Sequence, residues 1–516
     1  MRQPWVERCV QALNFNLRPA TLKAIENDIL NKRRAGILLH ITSLPGAGRQ
    51  GDLGQDAYYF VDFLHKAGIT VWQTLPLGMT HADGSPYQCL SAHAGNPDLI
   101  NIDWLVRQGW LDLSERCEEC QGTHKFNKNC LVTKAFNGFM ERGTPQDKDG
   151  FTAFCQDKAF WLDDFALFLA LRTEFNQQCW NQWPDYFKER DSKALKEVRI
   201  RLGHTIDCIK FEQYVFFRQW MALKSYANAK GVLLFGDIPI FVSYDSADVW
   251  ANRDVFKLDD NGEMSVVAGV PPDYFSENGQ RWGNPHYNWT FLKKTGFNWW
   301  VERMQTQLEQ FDILRIDHFR GLEAAWEIPA SEPTAKQGEW VKAPGKALLN
   351  AIKAELGAIP LVAEDLGIIT DEVTALRDEF QLPGMKILQF AFGGGSDNPY
   401  LPNNYEKNCV VYTGTHDNDT TLGWAEQLNV DERKYVYEYL GNPLATLHCA
   451  LIQAALASVA NLAIIPMQDI LELGTEHRMN TPGTIVGNWQ WRFAWEQLSP
   501  ERASRLAHLV ELFNRN

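Results

Sequence analysis

The sequence predicts an α/β chain folded as a (β/α)8, or TIM, barrel with long, mostly helical insertions after its second and third strands. Three observations carry that expectation: eight short apolar runs recur along 516 residues, helix-like stretches lie between them, and several runs end on a carboxylate. Near-continuous apolar strands are buried on both faces, as in parallel sheets, and strand then helix eight times closes most simply into a barrel. An open doubly wound sheet is the alternative that the same alternation allows.

Taken in order, the runs are GILLH (36–40), VWQTLPL (71–77), VLLFGDIPIF (232–241), ILRIDHF (313–319), PLVAEDL (360–366), MKILQFAF (385–392), CVVYTGTHD (409–417) and LAIIPMQD (462–469). Helical periodicity marks LGQDAYYFVDFLHKAG, FNWWVERMQTQLEQF, GKALLNAIKAELG and ITDEVTALRDEF between them. More than 130 residues separate the second and third runs, and NIDWLVRQGWLDLSE, AFWLDDFALFLALRTEF and DCIKFEQYVFFRQWMALKSYA within them read as helices. The expected organisation is therefore a single catalytic domain over residues 1–516, with a helical insertion at 98–210. A Gly/Pro/aromatic insertion at 242–310, including GVPPDYFSENGQRWGNPHYNW, is expected to cover the cleft.

Composition narrows the partners. Fifty Lys and Arg against 64 Asp and Glu give a formal charge of −14, which argues against nucleic acid, because phosphate binding needs clustered positive charge. No segment is apolar enough to span a membrane and the N-terminal residues show no apolar leader, so a cytoplasmic chain is expected. The ten cysteines, scattered from Cys9 to Cys449, fit reduced thiols. CEEC at 117–120, with His124 and Cys130 nearby, lacks the second well-spaced pair of a zinc cluster, and neither a metal nor a cofactor is expected.

In barrels of this type the chemistry sits at the C-terminal ends of the strands. Asp237, Asp317, Glu364, Asp417 and Asp469 fall at or near the ends of the third, fourth, fifth, seventh and eighth runs. Retaining glycoside chemistry needs two carboxyl groups about 5 Å apart, one ionised for attack and one protonated to release the leaving oxygen. Arg315 shares the face of Asp317 and keeps it ionised, while a carboxyl crowded by other acids, such as Glu364, holds its proton to higher pH. That assigns Asp317 as nucleophile and Glu364 as general acid/base, and leaves Asp417 to grip sugar hydroxyls in the transition state. Trp282, with Tyr274 and Phe275, lies in a Gly/Pro-punctuated loop where an aromatic face suits a pyranose ring.

An ordered set of motifs carries a resemblance. DGSPYQ, GDIPIFV, GVPPDYFS, GQRWGNPHYNW, RIDHFRG, VAEDLG, GTHDN and RMNTPG follow one another along the chain. With them the sequence resembles the amylomaltase, or disproportionating enzyme, family of 4-α-glucanotransferases in the α-amylase clan, from about residue 30 onward. The resemblance implies the same three roles for Asp317, Glu364 and Asp417. It also implies glucan contacts by Tyr87, Asp237, Arg315, His318 and His416, and a cleft lid from Tyr274, Phe275, Gln280, Trp282 and Asn480. It implies a barrel without the C-terminal β-domain of α-amylases, and transfer of an α-1,4-glucan segment to the 4-hydroxyl of glucose or a maltooligosaccharide. A hydrolase of the same clan would use the same carboxylates, and acids at strand ends could instead hold Mg²⁺ for enolate chemistry.

Overall fold

The computed structural model describes residues 29–46, 48–112, 128–272, 276–357, 359–441 and 444–516. Eight parallel strands form the central sheet: β1 Arg34–Leu38, β2 Val71–Gln73, β3 Leu233–Pro239, β4 Ile313–Asp317, β5 Leu361–Ala363, β6 Gly384–Ile387, β7 Cys409–Tyr412 and β8 Leu462–Pro466. They hydrogen bond in the order β6-β7-β8-β1-β2-β3-β4-β5, which is chain order around a ring. The ring closes between β5 and β6, where the Ala363 N–H donates to the Pro383 carbonyl at 2.9 Å. Beside it the Asp365 carboxylate accepts from the Met385 N–H at 2.7 Å, and Arg377 holds that carboxylate at 2.6 Å. A side chain thus supplies a bond that the ladder lacks.

The two faces of each strand explain the near-continuous apolar runs. Leu38, Val71, Phe235, Ile313, Val362, Met385, Ile387, Val410, Leu462 and Ile464 fill the barrel interior. Leu234, Leu314, Ile316, Leu361 and Ala363, on the alternate positions, pack outward against Met304, Leu308, Leu348, Leu349 and Ile352 of the surrounding helices. Period 2 then sets the top of the barrel, because Ile313, Arg315 and Asp317 point the same way, as do Phe235 with Asp237 and Val362 with Glu364. Gly36 keeps the interior from overfilling: a Cβ there would meet Ile464 Cδ1 at 2.3 Å and Val71 Cβ at 2.9 Å.

Between β2 and β3 the described residues form helices at Ile102–Arg107, Lys128–Arg142, Pro145–Asp157, Ala159–Glu174 and Ser192–Arg201, and then the 27-residue helix Gly203–Ala229 leading into β3. CEEC and His124 lie outside the described residues. A second, antiparallel sheet stands over the barrel, in the order Gln280–Pro285, Val266–Val270, Ala324–Pro329, Glu339–Lys342. Half of it comes from the β3–β4 connection and half from the β4–β5 connection, so the insertions are not confined to the two connections anticipated. Its strands escaped notice because Gln280–Pro285 contains Gly283, at φ 81°, and ends on proline, both of which read as turn. No helix among the described residues is long and apolar enough to cross a membrane.

Candidate active site

Above its apolar layers the barrel turns polar. Arg315, fully enclosed in the barrel, donates to Asp237 at 2.5 Å and to Asp317 at 2.8 Å, bridging the tops of β3 and β4. The strand register sets this contact, since Asp237 lies opposite Arg315 and Pro239 opposite Asp317. Tyr87, from the long β2–β3 connection, donates its hydroxyl to Asp237 at 2.7 Å. The other oxygen of Asp237 is buried with no hydrogen-bond partner among the described residues. Two carboxylates on one guanidinium push its pKa well above the usual arginine value even against burial, so the charge there is fixed.

Glu364 follows β5 next to Asp317, because Ile316 pairs with Ala363 and each acid is one residue further on. Its oxygens accept from the backbone N–H groups of His318, at 2.7 Å, and Leu366, at 2.9 Å. The first bond depends on a left-handed residue: His318 has φ 51°, ψ 52°. That conformation costs a non-glycine residue about 1 kcal/mol. Burial raises the Glu364 carboxyl to about 7; Arg315 opposes the rise and the Asp317 charge adds to it. The His318 imidazole is lowered to about 4, chiefly by burial, so it is neutral; its buried Nε2 has no partner among the described residues. Trp282 meets that ring edge-on at 4.9 Å between centroids and donates its indole N–H to Gln280 at 3.1 Å.

The third acid enters from the loop after β7. Asp417 accepts from Asn480 at 2.7 Å and lies 3.3 Å from His416 Nε2, while Arg478 donates to its backbone carbonyl at 2.9 Å. Nearly half of its side chain faces solvent. His416 stacks on Tyr87 at 5.2 Å and 14°, which ties the β7 loop to the Tyr87–Asp237–Arg315 chain.

Of the residues expected from sequence, Tyr87, Asp237, Arg315, Asp317, His318, Glu364, His416, Asp417 and Asn480 converge on this cluster, and Trp282 with Gln280 lies at its edge beside His318. Tyr274 and Phe275 lie outside the described residues. Asp469, the fifth strand-end acid, has another job: it accepts from both Thr413 and Thr421 hydroxyls at 2.6 Å and from the Thr421 N–H at 2.7 Å. Sequence reasoning missed Trp489, which faces Tyr87 at 6.0 Å and His416 at 5.9 Å with its backbone at φ 64°. It is an aromatic in a Gly-punctuated stretch, GNWQW, the signal that singled out Trp282. It missed His40 too, a neutral buried histidine lowered to about 3 by burial and by the nearby His416.

Comparison with known proteins places this arrangement. The profile of the family described as 4-alpha-glucanotransferase matches residues 39–498. The 4-alpha-glucanotransferase of Thermus thermophilus is 49% identical over 94% of this chain and 99% of its own length. That of Solanum tuberosum, chloroplastic/amyloplastic, is 44% identical over 95% of this chain and 88% of its own. Among solved structures, the amylomaltase from Streptococcus agalactiae in complex with acarbose superposes with a TM-score of 0.88 at 37% identity, over 94% of this chain and 100% of that one. The chain belongs to the 4-alpha-glucanotransferase family, the amylomaltases or disproportionating enzymes, transferases that act on α-1,4-glucans.

Proposed function

We propose that the transfer runs as a retaining double displacement with Asp317 as nucleophile, Glu364 as general acid/base and Asp417 as transition-state stabiliser. The observation that carries the reading is the pairing of unlike carboxyls on neighbouring strands: Asp317 is bound to a guanidinium, and Glu364 keeps its proton to about pH 7. In the first step Asp317 attacks C1 of the glucosyl unit as the C1–O4 bond breaks, and Glu364 gives its proton to O4. In the second, the Glu364 carboxylate takes the proton of an acceptor 4-hydroxyl, which attacks C1 and frees Asp317. Two inversions retain the α configuration.

Asp417, still open to solvent on one side, grips ring hydroxyls as the sugar flattens. The unpartnered oxygen of Asp237 and Nε2 of His318 are an acceptor and a ring nitrogen left over for sugar hydroxyls, with Tyr87, Arg315 and His416 beside them. Trp282 and Gln280 stand where a glucan would cross the rim, and with Tyr274, Phe275 and Asn480 they form the lid of this reading. Residues 98–210 serve as a helical insertion on a single catalytic domain, and 242–310 cover the cleft. The acceptor is glucose or a maltooligosaccharide. A cytoplasmic setting without cofactor completes the reading, and the free thiols among the described residues suit a reducing compartment.

Transfer and hydrolysis share the first step and part at the second, where an acceptor already bound wins by proximity. Maltotriose alone should give glucose and a ladder of longer maltooligosaccharides at a nearly constant number of reducing ends. A steady rise in reducing ends with no product longer than the substrate would leave a hydrolase instead.

A further inference from the structure

A second cluster of reactive groups lies away from the carboxylates. Cys449 is the third residue of the helix Leu447–Ala457. Its sulfur is 3.2 Å from His448 Nε2 and 3.8 Å from Glu472 Oε1, and His448 Nε2 is 3.4 Å from the same carboxylate oxygen. The helix Pro500–Leu512 adds two guanidinium groups, Arg502 at 3.4 Å and Arg505 at 3.5 Å from Glu472. His, Cys and Glu atoms this close resemble a metal site. The two arginines change that, because they already balance the carboxylate and repel a dication, while the same positive charge favours a thiolate.

The electrostatics agree with the geometry. Burial opposes ionisation of Cys449, but bonds from His448 and Thr446, the imidazolium charge and Arg505 outweigh it and bring the thiol below its ordinary value. Burial likewise opposes charging His448, and the bonds and charges of Cys449 and Glu472 overcome it. Among the described residues Asp469 also feels the His448 charge. By contrast, burial pushes Cys89, Cys155, Cys179, Cys208 and Cys409 up to between about 11 and about 12.

The cluster also touches the active site through the chain. Glu472 holds a left-handed backbone, φ 59°, at the start of the loop that runs to Asn480. Gln468 steadies that loop by donating to the His477 carbonyl at 3.3 Å, and its far end carries Arg478 and Asn480 onto Asp417. We propose that Cys449 is a peroxide-reactive thiol, and that its oxidation loosens the 472–480 loop and so displaces Asn480 from Asp417.

In the reaction the Cys449 thiolate attacks one oxygen of hydrogen peroxide, an S–O bond forms and the O–O bond breaks. The leaving hydroxide takes the proton of the His448 imidazolium and departs as water. Sulfur is oxidised by two electrons to the sulfenic acid and the peroxide is reduced. Cys449 is only 4% exposed, but peroxide is little larger than water and Glu472, with a third of its side chain exposed, opens a way in. The product has lost the imidazolium charge and carries an extra oxygen beside Glu472, so Glu472 loses its ion pair with His448 and must make room on this side. A non-glycine residue in the left-handed region then has less to hold it there.

The second half of the proposal rests on the role given to Asp417, and the test separates the two. The whole chain is treated with graded hydrogen peroxide, one portion with dimedone so that sulfenic acid is located by peptide mass spectrometry, and a second without dimedone in which maltotriose transfer is followed. Cys449 should be labelled at least tenfold faster than Cys409, and His448→Asn should remove that advantage. Transfer should fall several-fold with peroxide and return on adding dithiothreitol. Cys449→Ser, or Cys449→Ala if serine misfolds, should show ordinary transfer that peroxide leaves unchanged. Equal labelling of Cys449 and Cys409, or tight zinc binding by the untreated chain that Cys449→Ala abolishes, would overturn the thiol assignment. Labelling with full transfer retained would overturn the coupling, whereas full transfer by Asp417→Asn would remove the role of Asp417 and leave the labelling result standing.

Discussion

Glu364 is held at both oxygens by backbone N–H groups, contacts that favour a carboxylate, yet burial and the neighbouring Asp317 raise it to about 7. The sign of its pH effect follows. With Glu364 as the proposed acid, the free enzyme carries the proton for the leaving oxygen below about 7 and loses it above. For maltooligosaccharide donors, kcat/KM should therefore bend downward near pH 7, tenfold per unit well above it. With α-glucosyl fluoride, whose leaving group needs no proton, the bend should vanish from the first step. A flat profile to pH 9 with maltotriose would remove Glu364 as the acid. Arg315 and Asp317 were legible as a pair from their spacing alone, because period 2 puts residues i and i+2 on one face. The His318 backbone conformation was not, since nothing in the letters RIDHF marks a left-handed histidine.

The strands were the easiest elements to read, because a barrel strand is apolar on both faces and the interior and outer packing use alternate residues of the same run. The antiparallel sheet over the barrel was hidden by its glycine and proline, and by its being shared between two distant connections. Asp469 shows where position misleads. It closes the eighth apolar run of the sequence, but it lies past β8 in the helical turn Met467–Ile470, where it clamps Thr413, just past β7, to Thr421, at the start of the helix Thr421–Gln427. The three donors to it belong to fully buried threonines. Asp469→Ala should lower stability by about 3 kcal/mol, read as a lower denaturant midpoint, because it strands buried donors. Transfer should fall with it, since Thr413 and Thr421 flank the loop that bears Asp417. A loss under about 0.5 kcal/mol would show that the clamp carries no strain of the fold.

For the molecule as a whole, the barrel supplies a rigid ring whose lower layers are apolar and whose top layer is a charge network spanning β3, β4, β5 and the β7 loop. The insertions close that ring from above, with Tyr87 from one and Trp282 from another reaching the same network. The central claim is that two carboxyls on adjacent strands divide the work of attack and protonation. Its most direct test is to trap the intermediate. Glu364→Gln preserves shape but turns an amide toward one of two backbone N–H groups, so Glu364→Ala should be run beside it. Either variant, given α-glucosyl fluoride without acceptor, should be inactive on maltotriose yet accumulate a glucosyl adduct, and digestion should place the added mass on Asp317. An adduct on another residue, or none at all while fluoride is still released, would contradict the account.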